Sequence, residues 1–148
     1  MPVWVQTAWT EYARRFPRGL ALELKEIPLL KRSRNAAVDS LLKAEGEALL
    51  SAAPEGHRLI ALDERGKQWS TMELSAQMEN WMREEKGVCF LVGGPDGLSG
   101  DCRERARDVW ALGRLTLPHP MVRAILAEQL YRAWTITQNH PYHRGSRP

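Results

Sequence analysis

Five apolar residues in succession, Val88-Cys89-Phe90-Leu91-Val92, run directly into the glycine-rich corner Gly93-Gly94-Pro95-Asp96-Gly97. A run without polar alternation suits a strand covered on both faces, and such strands belong to parallel sheets flanked by helices. Arg58-Leu59-Ile60-Ala61-Leu62-Asp63 is a second short apolar run, Val109 to Leu117 a third, and amphipathic segments separate them. Helices alternating with short apolar strands imply an α/β fold, a parallel sheet with helices on both faces.

The helical segments follow from spacing. Val3, Trp4, Ala8, Trp9, Tyr12 and Phe16 recur at three- and four-residue intervals and predict a helix from the start of the sequence. Leu20, Leu22 and Leu24 alternate with Ala21, Glu23 and Lys25 and, with Ile27, predict a strand that Pro28 ends. A basic loop, Lys31-Arg32-Ser33-Arg34, leads to a helix carried by Val38, Leu41, Leu42, Leu49 and Leu50. Gly66 falls in a turn, and Ser70-Thr71-Met72-Glu73 is a capping box that opens a helix buried through Leu74, Met78, Trp81 and Met82. Ser99 and Asp101 start another helix, Pro120 to Thr137 forms the last, and the polar tail from His140 to Arg144 is expected to be loosely ordered.

At 148 residues the chain fits a single domain spanning 1–148. No stretch reaches the ~20 apolar residues of a membrane-spanning helix, so a soluble, cytoplasmic protein is expected, with no membrane partner. Cys89 and Cys102 form no Cys-x-x-Cys motif and have no His at ligand spacing, so they read as reduced, inert thiols and no metal site is expected. A net charge of +3 favours an acidic partner only weakly.

Two corners stand out as candidate binding elements. The stretch from Leu112 to Arg123 joins the last strand to the last helix; Pro118 and Pro120 stop further pairing, and Pro120 is suited to the first helical turn. In open parallel sheets ligands lie at the carboxyl ends of strands, where Asp63, the Gly93 corner and the Leu117 corner all fall. These corners together read as one site for a nucleotide-like cofactor held through main-chain groups, although the glycine corner reads equally as a plain tight turn. Neither Gly-x-Gly-x-x-Gly nor a phosphate-binding Gly-x-x-x-x-Gly-Lys-Ser/Thr occurs. Framed by prolines, His119 reads as a helix-entry residue, and Trp81 and Trp134 as core or interface. Lys31, Arg32 and Arg34 suit either phosphate contacts or a solvated loop.

Val92-Gly93-Gly94-Pro95-Asp96-Gly97-Leu98-Ser99, Leu115-Thr116-Leu117-Pro118-His119-Pro120-Met121-Val122-Arg123, Glu128-Gln129-Leu130-Tyr131-Arg132-Ala133-Trp134 and Asn139-His140-Pro141-Tyr142-His143-Arg144 together resemble the RlmH family of ribosomal RNA large-subunit methyltransferases. The resemblance extends to Glu11-Tyr12 and Arg14-Arg15-Phe16-Pro17 and so covers nearly the whole chain. It implies a SPOUT α/β knot, a sheet whose C-terminal segment is threaded into a trefoil, one of the rare exceptions to unknotted topology. It further implies a homodimer that uses S-adenosylmethionine to methylate N3 of a pseudouridine in 23S rRNA on the assembled ribosome. Carried over by motif, the cofactor pocket comprises Leu62, Gly93, Leu112, Gly113, Arg114, Leu115, Thr116 and Leu117.

The catalytic candidates are Tyr142, His143 and Arg144 in the tail, which in the family closes over the site. The imide N3 keeps its proton at neutral pH, so His143 is a candidate base or proton relay and Arg144 a candidate phosphate contact. The family pattern carries a further strand ahead of the first helix, and an upstream translation start is therefore expected. A non-catalytic ribosome- or RNA-binding protein, or a methyltransferase for another RNA, is the alternative reading.

Overall fold

In the computed structural model, which describes residues 1–28, 30 and 37–145, three strands pair in parallel in the order β2-β1-β3. They are β1 (Arg58–Gln68), β2 (Val88–Val92) and β3 (Asp108–Ala111). In chain order the helices are α1 (Val3–Ala13) and α2 (Val38–Ala52) before the strands, α3 (Thr71–Glu84) and α4 (Gly100–Arg105) between them, and α5 (His119–Thr137) and the single turn α6 (Tyr142–Gly145) after them. This is the expected α/β class. The backbone packs as two compact units, one of residues 1–24, 69–84 and 117–148, the other of residues 25–68 and 85–116.

The second unit holds the sheet. Arg58 to Leu62 pair with Val88 to Val92, and Ile60 to Leu62 pair with Asp108 to Trp110. Central position explains why Ile60 and Ala61 are fully buried. The apolar run Arg58–Asp63 was expected to end the strand, with Gly66 in a free turn. Instead Asp63 Oδ1 accepts the Arg65 N–H at 2.8 Å, the chain bends back, and Lys67 and Gln68 pair with Trp110 and Ala111 a second time. Gly66 is required there because a Cβ would lie 2.5 Å from the Val109 carbonyl oxygen.

Ser99 caps α4 by accepting the Cys102 N–H at 3.2 Å, as its position predicts. Gly46 lets α2 approach α4 closely, since a Cβ there would collide with Ser99 Oγ. Ala61, Leu91, Leu98 and Cys102 form the buried centre, with Leu49, Leu50, Cys89, Ala106 and Val109 packed against it. Burial pushes the Cys89 thiol up from its ordinary value, in keeping with an inert cysteine.

In the first unit α1 and α3 both pack on α5. The capping box forms as predicted: Ser70 Oγ accepts the Glu73 N–H at 3.1 Å, and Glu73 Oε1 accepts the Ser70 N–H at 2.9 Å. Ser75 Oγ donates to the Ala133 carbonyl at 3.0 Å, and Thr71 Oγ1 to Gln129 Oε1 at 2.8 Å, which fixes α3 against α5. On α1 Val5 and Trp9 are buried, and Tyr12 and, beyond the helix, Phe16 are half-buried, while Val3 and Trp4, expected in that face, are 79% and 54% exposed. Helical periodicity allowed either stripe; contact with α5 selects the one that includes Val5.

Three expected elements differ. Among the described residues, Leu20 to Ile27 join no ladder, because alternation specifies which side chains face together but not an edge to pair with. The last strand ends at Ala111 rather than Leu117, its pairing with β1 ending at the Gln68 row. The basic-loop candidates Lys31, Arg32 and Arg34 lie outside the described residues. Among the described residues no helix is long and apolar enough to cross a membrane, and no cluster of His, Cys, Asp and Glu could hold a metal ion.

Candidate functional site

Sheet register brings several of the cofactor candidates to one end of the strands. Leu62 lies opposite Val92 on one side and Trp110 on the other, so Gly93 follows directly beyond its row and Leu112 two residues beyond it, after Ala111. At Gly93 a Cβ would stand 2.5 Å from the Gly97 carbonyl, so the loop's own backbone demands a glycine there. Gly94 to Gly97 closes as a tight turn, with the Gly97 N–H on the Gly94 carbonyl at 3.0 Å and Gly97 at φ +81°. The tight-turn reading of this corner is therefore correct in geometry, whatever else the loop holds.

What anchors that loop was not visible in sequence. Arg103 Nη1 donates to the Leu98 carbonyl at 2.8 Å and lies 3.5 Å from Asp63 Oδ2, tying the end of the corner to β1. Burial alone would raise the Asp63 carboxyl, but hydrogen bonds from the Arg65 side chain and main chain, with the charge of Arg103, hold it below the ordinary carboxylate value. Only the position of Asp63 after an apolar run hinted at this role.

From Leu112 to Leu117 the chain is irregular. Leu112, Gly113 and Leu117 are half-buried, whereas Arg114, Leu115 and Thr116 are exposed, Leu115 by 78%. Thr116 Oγ1 donates to Glu64 Oε2 at 3.2 Å. Among the described residues, no main-chain N–H or C=O from Gly113 to Leu117 bonds to another main-chain group. A Cβ at Gly113 would meet nothing within 4 Å. Available main-chain donors and acceptors beside exposed apolar side chains fit an adenine-bearing cofactor, whose ring needs both.

The tail is ordered, contrary to expectation, and the end of α5 explains why. Asn139 takes the left-handed conformation at φ +56°, its N–H bonds to the Ile136 carbonyl at 3.2 Å, and the His140 N–H bonds to the Thr135 carbonyl at 2.9 Å. This Schellman closure, followed by Pro141, turns the chain back so that α6 lies on α5. His140 Nδ1 then accepts the Tyr142 N–H at 3.1 Å.

The three tail candidates meet different surroundings. The Tyr142 ring meets Tyr131 edge-on with centroids 4.9 Å apart, and its hydroxyl donates to Glu128 Oε1 at 3.2 Å, with Tyr12 Oη 3.4 Å away. Burial, the Tyr12 hydroxyl and the Glu128 charge push its phenol well above the ordinary value, so Tyr142 stays protonated near neutrality. His143 is half-buried with Nδ1 3.2 Å from Arg132 Nη1, whereas Arg144 is exposed. Arg132 packs within its own chain, with Glu128 Oε1 accepting its Nε at 2.8 Å. Sequence reading missed this role; the i,i+4 pair Glu128–Arg132 was its available signal.

Comparisons with known proteins agree with one another. A family model described as "Predicted SPOUT methyltransferase" matches residues 1–143. A protein of Marinomonas sp. (strain MWYL1), named "Ribosomal RNA large subunit methyltransferase H", is 52% identical over 144 residues, covering 97% of this chain and 93% of that protein.

Proposed function

This chain belongs to the SPOUT methyltransferase family, and from that premise we propose that it transfers a methyl group from S-adenosylmethionine to N3 of a pseudouridine in 23S rRNA of the assembled ribosome. The observation that carries this reading is the likeness, along nearly the whole chain, to a protein named for ribosomal RNA methylation. SPOUT membership implies the trefoil knot. We place the reaction in the cytoplasm and assign it to a homodimer of single-domain chains; the exposed Val3 and Trp4 on α1 offer apolar surface for such pairing.

The cofactor is assigned to Leu62, Gly93 and the stretch Leu112, Gly113, Arg114, Leu115, Thr116 and Leu117, with apolar side chains for the adenine and main-chain groups for its edge. When bound, S-adenosylmethionine supplies an electrophilic methyl group on a sulfonium. Much of the acceleration then comes from holding acceptor and donor in line. The acceptor N3 must lose its proton, and the charge left behind needs stabilisation. We assign that task to His143, phosphate contact to the exposed Arg144, and packing of the tail to Tyr142, whose neutral hydroxyl is held by Glu128.

Calorimetry with S-adenosylmethionine, followed by transfer of a labelled methyl group to ribosomes, tests this reading. Gly113→Ala is the informative variant, because its Cβ enters open space and leaves the fold intact. We expect an unchanged melting temperature and cofactor binding weakened by about tenfold or more, as one added methyl in an occupied site costs roughly 1 to 3 kcal/mol. No binding by the unaltered chain would overturn the proposal, and retained ribosome binding in that case would favour the non-catalytic reading.

A further inference from the structure

Leu62 and Gly93 come from neighbouring strands, and the chain beyond each of them meets at a single nitrogen atom. Directly after Leu62, the Asp63 side chain is only 8% exposed and sets Oδ2 3.5 Å from Arg103 Nη1. Beyond Gly93 the chain loops back on itself, so that a Cβ at Gly93 would stand 2.5 Å from the Gly97 carbonyl and 2.9 Å from the Leu98 nitrogen. The same Arg103 Nη1 donates to the Leu98 carbonyl at 2.8 Å. The peptide that lies against Gly93 therefore adjoins a carbonyl held by a cation, and that cation faces the carboxylate next to Leu62. Arg65 is bound to the same carboxylate, but its side-chain bonds go to Asp63 and not to the corner.

Resting on the methylation reading above, we propose that Arg103 is a positioning residue for S-adenosylmethionine, holding the Gly93–Gly97 corner and the Leu62–Asp63 step of β1 at one fixed spacing before the cofactor arrives. It acts through Leu98 and Asp63 rather than by touching the cofactor. Glycine at positions 93, 94 and 97 leaves this backbone with more freedom to lose on ordering than other residues would. A corner already fixed in its bound shape needs no part of the binding energy for that ordering. The brace requires a cation because both of its partners accept: a carbonyl and a nearly buried carboxylate. It does not require the guanidinium fork, since both contacts fall on Nη1, and an ammonium at the same point can make them.

Two measurements on the full chain test the assignment: calorimetry with S-adenosylmethionine, and amide exchange at Gly97 without it. Arg103→Met keeps the apolar stem and removes the cation, and its affinity is expected to fall about tenfold or more. Exchange at Gly97 should quicken by about tenfold in the same variant, because the Gly97 N–H bond to the Gly94 carbonyl opens when the corner loosens. Arg103→Lys should restore both to within about threefold of the unaltered chain. Arg65→Met removes the other side-chain cation from Asp63, spares the corner, and should also keep affinity within about threefold. Unchanged affinity or unchanged Gly97 exchange in Arg103→Met would overturn the assignment, as would an equal loss of affinity in Arg103→Lys or Arg65→Met. Unfolding of Arg103→Met would show a brace of the whole fold and overturn it too. Each of these outcomes leaves the methylation reading standing. If instead the unaltered chain binds no S-adenosylmethionine, that reading itself fails, and the role of Arg103 with it, even where Gly97 exchange responds as expected.

Discussion

Asp108 is only 8% exposed, yet it accepts Arg58 Nε at 3.1 Å and Nη2 at 2.8 Å and Lys67 Nζ at 2.8 Å. Burial raises its carboxyl, but the hydrogen bonds from Lys67 and Arg58 outweigh it and leave the group below its ordinary 3.8. A carboxylate lowered in the folded state stabilises it fully above that value and loses the effect as pH falls through the folded value. Urea midpoints should therefore drop steeply below about pH 4, and Asp108→Asn should cost about 3 kcal/mol at pH 7 and flatten the acid limb, because it strands part of the Arg58 charge. An acid limb as steep in the variant would contradict this. Nothing local in sequence pairs Arg58 with Asp108, since Arg58 reads only as the start of an apolar run and Asp108 only as the residue before another. Tyr142, His143 and Arg144 are candidates by the motif they form, whereas the contact of Arg132 with His143 has no such signal, because it depends on a turn that brings the tail back.

Elements were legible where a local rule sufficed. The capping box at Ser70, the Ser99 cap and the uninterrupted run of β2 each specify their own geometry, and each formed as read. Leu20 to Ile27 and Leu112 to Leu117 were misread because a strand is defined by its partner, which alternation and apolarity do not name. The turn between α5 and α6 was the opposite case: a polar, proline-containing tail looked loose, yet a left-handed Asn139 closes it. Asn tolerates that conformation and Ala resists it, so Asn139→Ala should destabilise by about 1 to 2 kcal/mol while Asn139→Gly stays near neutral. Denaturation midpoints, with amide exchange at His140 reporting the closure, would check this, and equal effects of Ala and Gly would refute it.

At the scale of the molecule, the chain enters the helical unit three times and the sheet unit twice. Neither unit is a contiguous stretch. α1 and α3 both depend on α5, which follows every strand in sequence. A chain ending at Thr116 should therefore leave the amides of α1 and α3 unprotected in hydrogen exchange; protection equal to that of the full chain would show that α5 is dispensable to them. The same order bears on biosynthesis. Val5 and Trp9 emerge from the ribosome long before Leu126, Leu130 and Tyr131, so α1 spends most of translation with its apolar stripe uncovered. The nascent chain thus presents a ready target for a chaperone at the tunnel mouth until its final helix is released.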